Sequence, residues 1–205
     1  MGLDMYLYRI TRLTDEERKE VDAMGLNDIY EAGFCTIEFY PDPETPDDPL
    51  SDPLLKQILD YLYVIKRDQQ YVNLDRLKKH FGIPEDAKRC GSVQGSGTWK
   101  IFFSKGEKEY EANLHEVPEK ELEGLMDTVE DTFGICKEEE VAYWRKDYDL
   151  QTKLHVACDV PVLNCGYYPL NKGMKAAIRR DGARDLKAAD MKATKDSVVC
   201  YHEWY

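Results

Sequence analysis

Residues 138–158 read EEEVAYWRKDYDLQTKLHVAC, and the assignment of this stretch decides the fold. Set at about 100° per residue, it forms one helix of about five turns over 138–157. Val141, Trp144, Tyr148, Thr152 and His155 then share one face, and Tyr143, Leu150 and Leu154 share the opposite face. A helix that is apolar on opposite sides is buried between layers, so the spacing predicts a central helix on which the remaining elements pack. Asp149, Lys146 and Lys153 keep one narrow edge wet. Arg145 falls beside Trp144 on the first stripe. An inward guanidinium must meet an anion, because burying it unpaired is too costly. Either Arg145 is a structural partner of an internal carboxylate, or it clamps an anionic ligand with Tyr143, Trp144 and Lys146 as its neighbours.

The two ends of the chain read as strands. Near the start Leu3, Met5 and Leu7 alternate with Asp4, Tyr6 and Tyr8 over residues 2–10, the pattern of a half-buried strand. At the end, residues 197–205 read SVVCYHEWY. Asp4 and Glu203 are the carboxylates that these ends offer to Arg145, which would tie both ends to the central helix. On that reading Arg145→Met costs about 3–5 kcal/mol.

Between these pieces, Thr14 and Glu17 form a capping box for a helix closed by Gly25, and FCTIEFY over 34–40 reads as a strand. Prolines at 41, 43, 46 and 49 make 41–53 a loop, without the spacing of a calcium loop. Asp52 and Pro53 then start a helix with the stripe Leu54, Leu55, Ile58, Leu62 and Ile65. A short helix over Asn73–His80 ends at Gly82. The glycine-rich stretch 88–97 lacks the Lys-Ser/Thr of a phosphate loop and reads as a turn. Residues 98–104 and 109–115 form a hairpin about Lys105-Gly106. Pro118 opens a helix with Leu122, Leu125, Met126 and Val129 on one side, and 171–180 is helical. Together these elements predict an α+β fold, one domain over 1–205. It has a mixed sheet that uses both chain termini, with 41–137 as an inserted or elaborated helical and hairpin region.

The chain has 205 residues and a net charge of −12, which argues against direct binding of nucleic acid, whose phosphates need a basic surface. Charge is uneven: residues 171–195 hold eight cations against three carboxylates, a solvated face or a patch for an acidic partner. No apolar run is long enough to cross a bilayer, and the opening MGLDMYLYRI has neither the basic start nor the apolar core of a signal peptide. Tyr6 also stands where a myristoylation pattern needs Ser or Thr. The six cysteines are scattered, with no compact framework. The reading is a cytoplasmic protein with reduced thiols and no membrane contact.

Three separated pieces carry a resemblance. The opening MGLDMYL, the tetrapeptide Tyr143-Trp144-Arg145-Lys146 and the closing Tyr201-His202-Glu203-Trp204-Tyr205 resemble a group of small phage- and prophage-encoded proteins of unknown function. Cys165-Gly166-Tyr167-Tyr168 has a counterpart there as well. The group follows YWRK with Ala-Asn, then Ile-His and Trp-Phe. This chain has Asp147-Tyr148, Leu150-Gln151 and Lys153-Leu154 at those places, so the polar Asn and His are missing. The resemblance implies a phage-related origin and a shared core, with no activity attached.

Chemistry-bearing constellations are sparse. His155-x₂-Cys158-x₆-Cys165 offers imidazole and thiolates for a zinc site, but without a close cysteine pair; buried thiols and a packed histidine are the alternative, with no cofactor. No nucleophile elbow or cysteine-protease signature occurs. Fourteen tyrosines suit recognition surfaces, since each joins contact area to a polar tip. The sequence therefore points to an intracellular phage- or prophage-related accessory protein that acts by binding a host or phage protein and carries no catalytic motif. The alternatives are a phosphate- or nucleotide-binding protein or enzyme with Arg145 as anion clamp, and an acidic decoy of a nucleic-acid-binding protein.

Overall fold

The computed structural model describes residues 3–40, 48–95, 97–182 and 186–205. The proline-rich loop expected at 41–53 therefore falls outside the described residues as far as 47. In chain order the elements are β1 (Asp4–Thr11), α1 (Asp15–Asp22), α2 (Leu26–Glu31), β2 (Cys35–Glu38), β3 (Tyr63–Val72), α3 (Leu74–His80), β4 (Lys88–Gly95), β5 (Thr98–Lys105), β6 (Lys108–Asn113), α4 (Glu119–Leu122), β7 (Met126–Arg145), α5 (Tyr148–Ala157), β8 (Tyr167–Pro169), α6 (Lys172–Ala177) and β9 (Ser197–Trp204). The fold is α+β, with two antiparallel sheets, and both chain ends supply strands to the larger one.

The chain divides into two compact units, residues 1–67 with 131–205 and residues 68–130. The inserted unit is thus narrower than the 41–137 expected from sequence.

In the first unit the strand order is β2-β7-β1-β9-β8, with β3 also on β7. β1 lies between β7 and β9, so Tyr6 stands opposite Tyr143 on one side and His202 on the other. Alternation along a strand sends neighbouring side chains to opposite faces. Leu3, Met5 and Leu7 are accordingly buried in one core with Leu150 and Leu154 of α5, Met174 of α6, and Val199 and Tyr201 of β9. A second core joins Ile10, Val198 and Cys200 to Phe39, Leu55 and Ile58. A third gathers Leu13, Val21, Ile29 and Phe34 with Phe133 and Ile135. The capping box at α1 is present, with Glu17 N donating to Thr14 Oγ1 at 3.2 Å and Thr14 N donating to Glu17 at 2.7 Å. Gly25 differs from expectation: α1 ends at Asp22, and Gly25 is the N-cap of α2.

The central helix is the main correction. Residues 138–145 belong to β7, and the helix is confined to Tyr148–Ala157. A bulge explains the misleading spacing. Leu7 pairs with Ala142 but Tyr8 pairs with Glu140, so Val141 is an extra residue on β7. Val141, Ala142 and Trp144 consequently all pack on the α5 core, and a strand with a bulge acquires a helix-like interval of three. Lys146, at φ +58°, turns the chain out of β7 while its N–H donates to Leu3 O at 2.9 Å. Asp147 caps α5 by accepting from Leu150 N at 3.0 Å.

Three other expected helices are also altered. Residues 54–65 form turns, a 3₁₀ turn over Leu59–Tyr61 and the start of β3; Leu55, Ile58 and Ile65 are buried all the same. The helix opened by Pro118 stops at Leu122, passes through a 3₁₀ turn over Glu123–Leu125 and becomes β7 at Met126. The helix expected over 171–180 ends as α6 at Ala177 and continues as a π-helical turn over Ile178–Gly182.

In the second unit β4, β5 and β6 form a three-stranded antiparallel sheet. Leu77 of α3 packs with Ile101, Phe103, Ala112 and Leu114. The hairpin about Lys105-Gly106 is present, with Gly106 at φ +60°, a conformation glycine adopts without strain. The glycine-rich stretch expected as a turn is instead strand β4 up to Gly95.

Met5, near the start of β1, is fully buried. Met5→Asp places a charge in an apolar core opposite the buried Glu203, and is expected to lower the unfolding free energy by roughly 3–5 kcal/mol. Urea denaturation reads this directly; an unchanged midpoint would show that β1 does not form the core strand.

Candidate binding face of the main sheet

The face of β1 opposite Leu3, Met5 and Leu7 carries Asp4, Tyr6 and Tyr8. Register extends this face across four strands. Tyr143 on β7, Tyr6 on β1, His202 on β9 and Tyr167 on β8 are successive cross-strand partners, so four rings lie in one transverse row. Ring centroids are 5.0 Å apart for Tyr6–Tyr143, 6.2 Å for Tyr6–His202 and 4.6 Å for Tyr167–His202. Tyr8 stacks on Tyr6 at 5.1 Å with planes 12° apart. Beside this row, Arg145, Asp4 and Trp204 are aligned by the same register. The row runs from open to closed: Tyr143 and Trp204 are exposed, Tyr6 and Tyr8 are half-buried, and Tyr167 is buried.

Carboxylates interleave the rings. Tyr143 Oη donates to Asp4 Oδ1 at 2.6 Å, and Tyr167 Oη donates to Glu138 Oε1 at 2.9 Å. Glu140 is the cross-strand partner of Tyr8. This negative field acts on the phenols. Burial and then Asp4 and Glu140 push the Tyr6 phenol up, and burial and then Glu138 push those of Tyr8 and Tyr167 up, so all three stay protonated. Glu138 is an exposed residue, yet its carboxyl end is shielded enough that burial raises its pKa, against the hydrogen bonds from Tyr167 and Cys35. His202 is held the other way. Burial lowers its pKa, and its Nδ1 lies 3.1 Å from Gly166 O. A carbonyl only accepts, so Nδ1 carries the proton and Nε2 remains an acceptor.

A cavity of about 290 Å³ adjoins the buried end of the row, lined among others by Cys35, Tyr40, Asp52, Leu54, Tyr167 and His202. Its Asp52 is already engaged, accepting from Tyr40 N and Leu54 N, both at 2.7 Å.

The residues singled out by sequence are dispersed differently from expectation. Arg145 does not face inward: its side chain is 67% exposed, and its Nε is 3.8 Å from Asp4 Oδ1. It is a rim cation, and an anion clamp in an enclosed site is not what this geometry makes. Strand alternation sets Trp144 on the face opposite Tyr143, against the α5 core. Lys146 is an exposed turn residue. Glu203 is fully buried, but its partners are Tyr201 Oη at 2.5 Å, His155 Nε2 at 2.8 Å and Gln151 Nε2 at 3.1 Å. The last strand is thus tied to α5 by Glu203, through His155 and Gln151 rather than Arg145. The residues of the zinc alternative, His155, Cys158 and Cys165, are not gathered into a cluster among the described residues. His155 is committed to Glu203, Cys165 is exposed, and no group of three or more His, Cys, Asp or Glu among the described residues is placed to hold a metal.

Tyr6, Tyr8, Tyr167, His202, Glu138 and Glu140 were not singled out from sequence as one site. The alternation of MGLDMYLYRI and SVVCYHEWY places Tyr6, Tyr8 and His202 on one face only once the two segments are known to be neighbours. No family model, curated protein or solved structure matches this chain.

Arg145→Met is therefore expected to cost less than about 1 kcal/mol, the worth of an exposed ion pair. Glu203→Ala, which strands the buried Tyr201 hydroxyl and the part-buried His155 and Gln151 and opens a cavity, should cost about 3–5 kcal/mol. Equal losses in the two variants by urea denaturation would contradict this ranking.

His202 also makes stability depend on pH. Its folded pKa lies below the ordinary value of 6.5, so below about pH 6.5 the unfolded chain binds more protons and stability falls with pH. Between about pH 5 and 6.5 the wild type should lose stability faster than His202→Gln. Parallel curves would show that His202 titrates normally.

Proposed function

We propose that this chain is an intracellular accessory protein of phage or prophage origin that binds a protein partner through the open face of its main sheet. The partner chemistry that fits is an extended segment bearing Arg or Lys. The supporting observation is the row Tyr143–Tyr6–His202–Tyr167 with carboxylates set between its rings. Ring faces attract guanidinium and ammonium groups, and tyrosines supply contact area with little side-chain entropy to lose. Asp4, Glu138 and Glu140 outnumber Arg145 on this face, within a chain of net charge −12, so charge complementarity favours a basic partner and repels an acidic one. The resemblance of the opening, YWRK and closing segments to phage-encoded proteins supports a host or phage protein as that partner.

The test uses the full chain and synthetic ten-residue peptides in which arginines alternate with aromatic residues. Matched controls carry Glu in place of Arg. The arginine peptides should bind, the glutamate peptides should not, and Tyr143→Ala combined with Trp204→Ala should weaken binding at least about tenfold, as for central aromatic contacts. Both of these residues are exposed, so the folded core is left intact. Binding that ignores peptide charge, or that survives the double substitution, would refute the proposal.

A further inference from the structure

We propose that Cys35 and Cys136 are a covalent modification site, a thiol pair that a small disulfide such as oxidised glutathione converts into a reversible cross-strand disulfide. The proposal does not depend on the binding reading. It rests first on register. Cys35 on β2 is directly opposite Cys136 on β7. Phe39 N donates to Thr132 O at 3.0 Å, four residues further along the same ladder. Hydrogen-bonded positions recur every second residue, so Cys35 and Cys136 occupy one of them. Directly opposed residues there have Cα atoms about 5.5 Å apart, inside the range that a disulfide spans, and their side chains leave the same face. The second observation is packing: Cys136 is a buried member of the core against which the Cys35 side chain lies. The third is access: Cys35 is half-buried and lines the 290 Å³ cavity, whereas Cys136 is fully buried. One thiol can meet a reagent and the other can only resolve it.

The chemistry balances without a further oxidant. The Cys35 thiolate attacks one sulfur of the small disulfide, whose S–S bond breaks. One half leaves as a thiolate and takes up the proton that Cys35 shed, and the other half stays on Cys35. The Cys136 thiolate then attacks Cys35 Sγ and expels the second half, which takes up the Cys136 proton. Two protein thiols are oxidised, and one small disulfide is reduced to two thiols. The neighbouring Cys35 and then burial push the Cys136 thiol up, so the second step is the slower one.

The full chain, freed of reductant, is incubated with oxidised glutathione, quenched with acid, alkylated and mapped by peptide mass spectrometry. The expected product is a Cys35–Cys136 linked peptide, two hydrogens lighter than its parts and restored by dithiothreitol. Cys136→Ser should stop at a glutathione adduct on Cys35, and Cys35→Ser should leave Cys136 unmodified. The wild-type map decides the matter even if a variant fails to fold. A wild type that ends with glutathione on Cys35, that bridges Cys136 to Cys200, or that leaves Cys35 unreacted overturns the proposal.

Discussion

The structure depends on the placement of β1 between β7 and β9. A strand with neighbours on both edges pairs its backbone groups on both sides, and here it also separates two environments. Leu3, Met5 and Leu7 anchor the helical core, while Asp4, Tyr6 and Tyr8 join the ring-bearing face. A one-residue slip in either ladder would exchange the two sets. That would bury Asp4 and expose Met5, so the hydrophobic pattern and the register enforce each other.

Charged groups secure this arrangement where they are dry and decorate it where they are wet. Glu203 is buried and holds Tyr201, His155 and Gln151, so losing it leaves several donors unmet. Arg145 is exposed beside Asp4, where water competes for both charges. The two residues do different work: Glu203 joins β9 to α5, and Arg145 contributes to the rim of an acidic, aromatic face.

The sequence was most legible where the local pattern and the tertiary structure agree. Alternation over residues 2–10 identified β1 and its buried face, Thr14 and Glu17 identified the start of α1, and Lys105-Gly106 identified a hairpin. It misled where tertiary pairing overrode local spacing. The bulge at Val141 gave β7 a helical interval, and three consecutive glutamates favour helix more than strand. Leu55 and Ile58 are buried as expected, and Leu54 partly so, but in turns. The candidate site was hardest to see, because its rings come from four strands that are distant along the chain. Only the register brings Tyr6, Tyr143, Tyr167 and His202 into one row, and register between distant strands is not a local property.

A face that alternates phenol rings with carboxylates keeps its phenols protonated, because burial and like charge raise their pKa values. Its existence follows directly from the position of β1, and that position can be measured. Residue-resolved amide hydrogen exchange distinguishes a strand paired on both edges from an edge strand or a helix-packed tail. The account predicts that consecutive amides from Met5 to Ile10, donating alternately to β7 and β9, exchange only as slowly as global unfolding allows. Protection of every second amide alone, or rapid exchange throughout the segment, would contradict it.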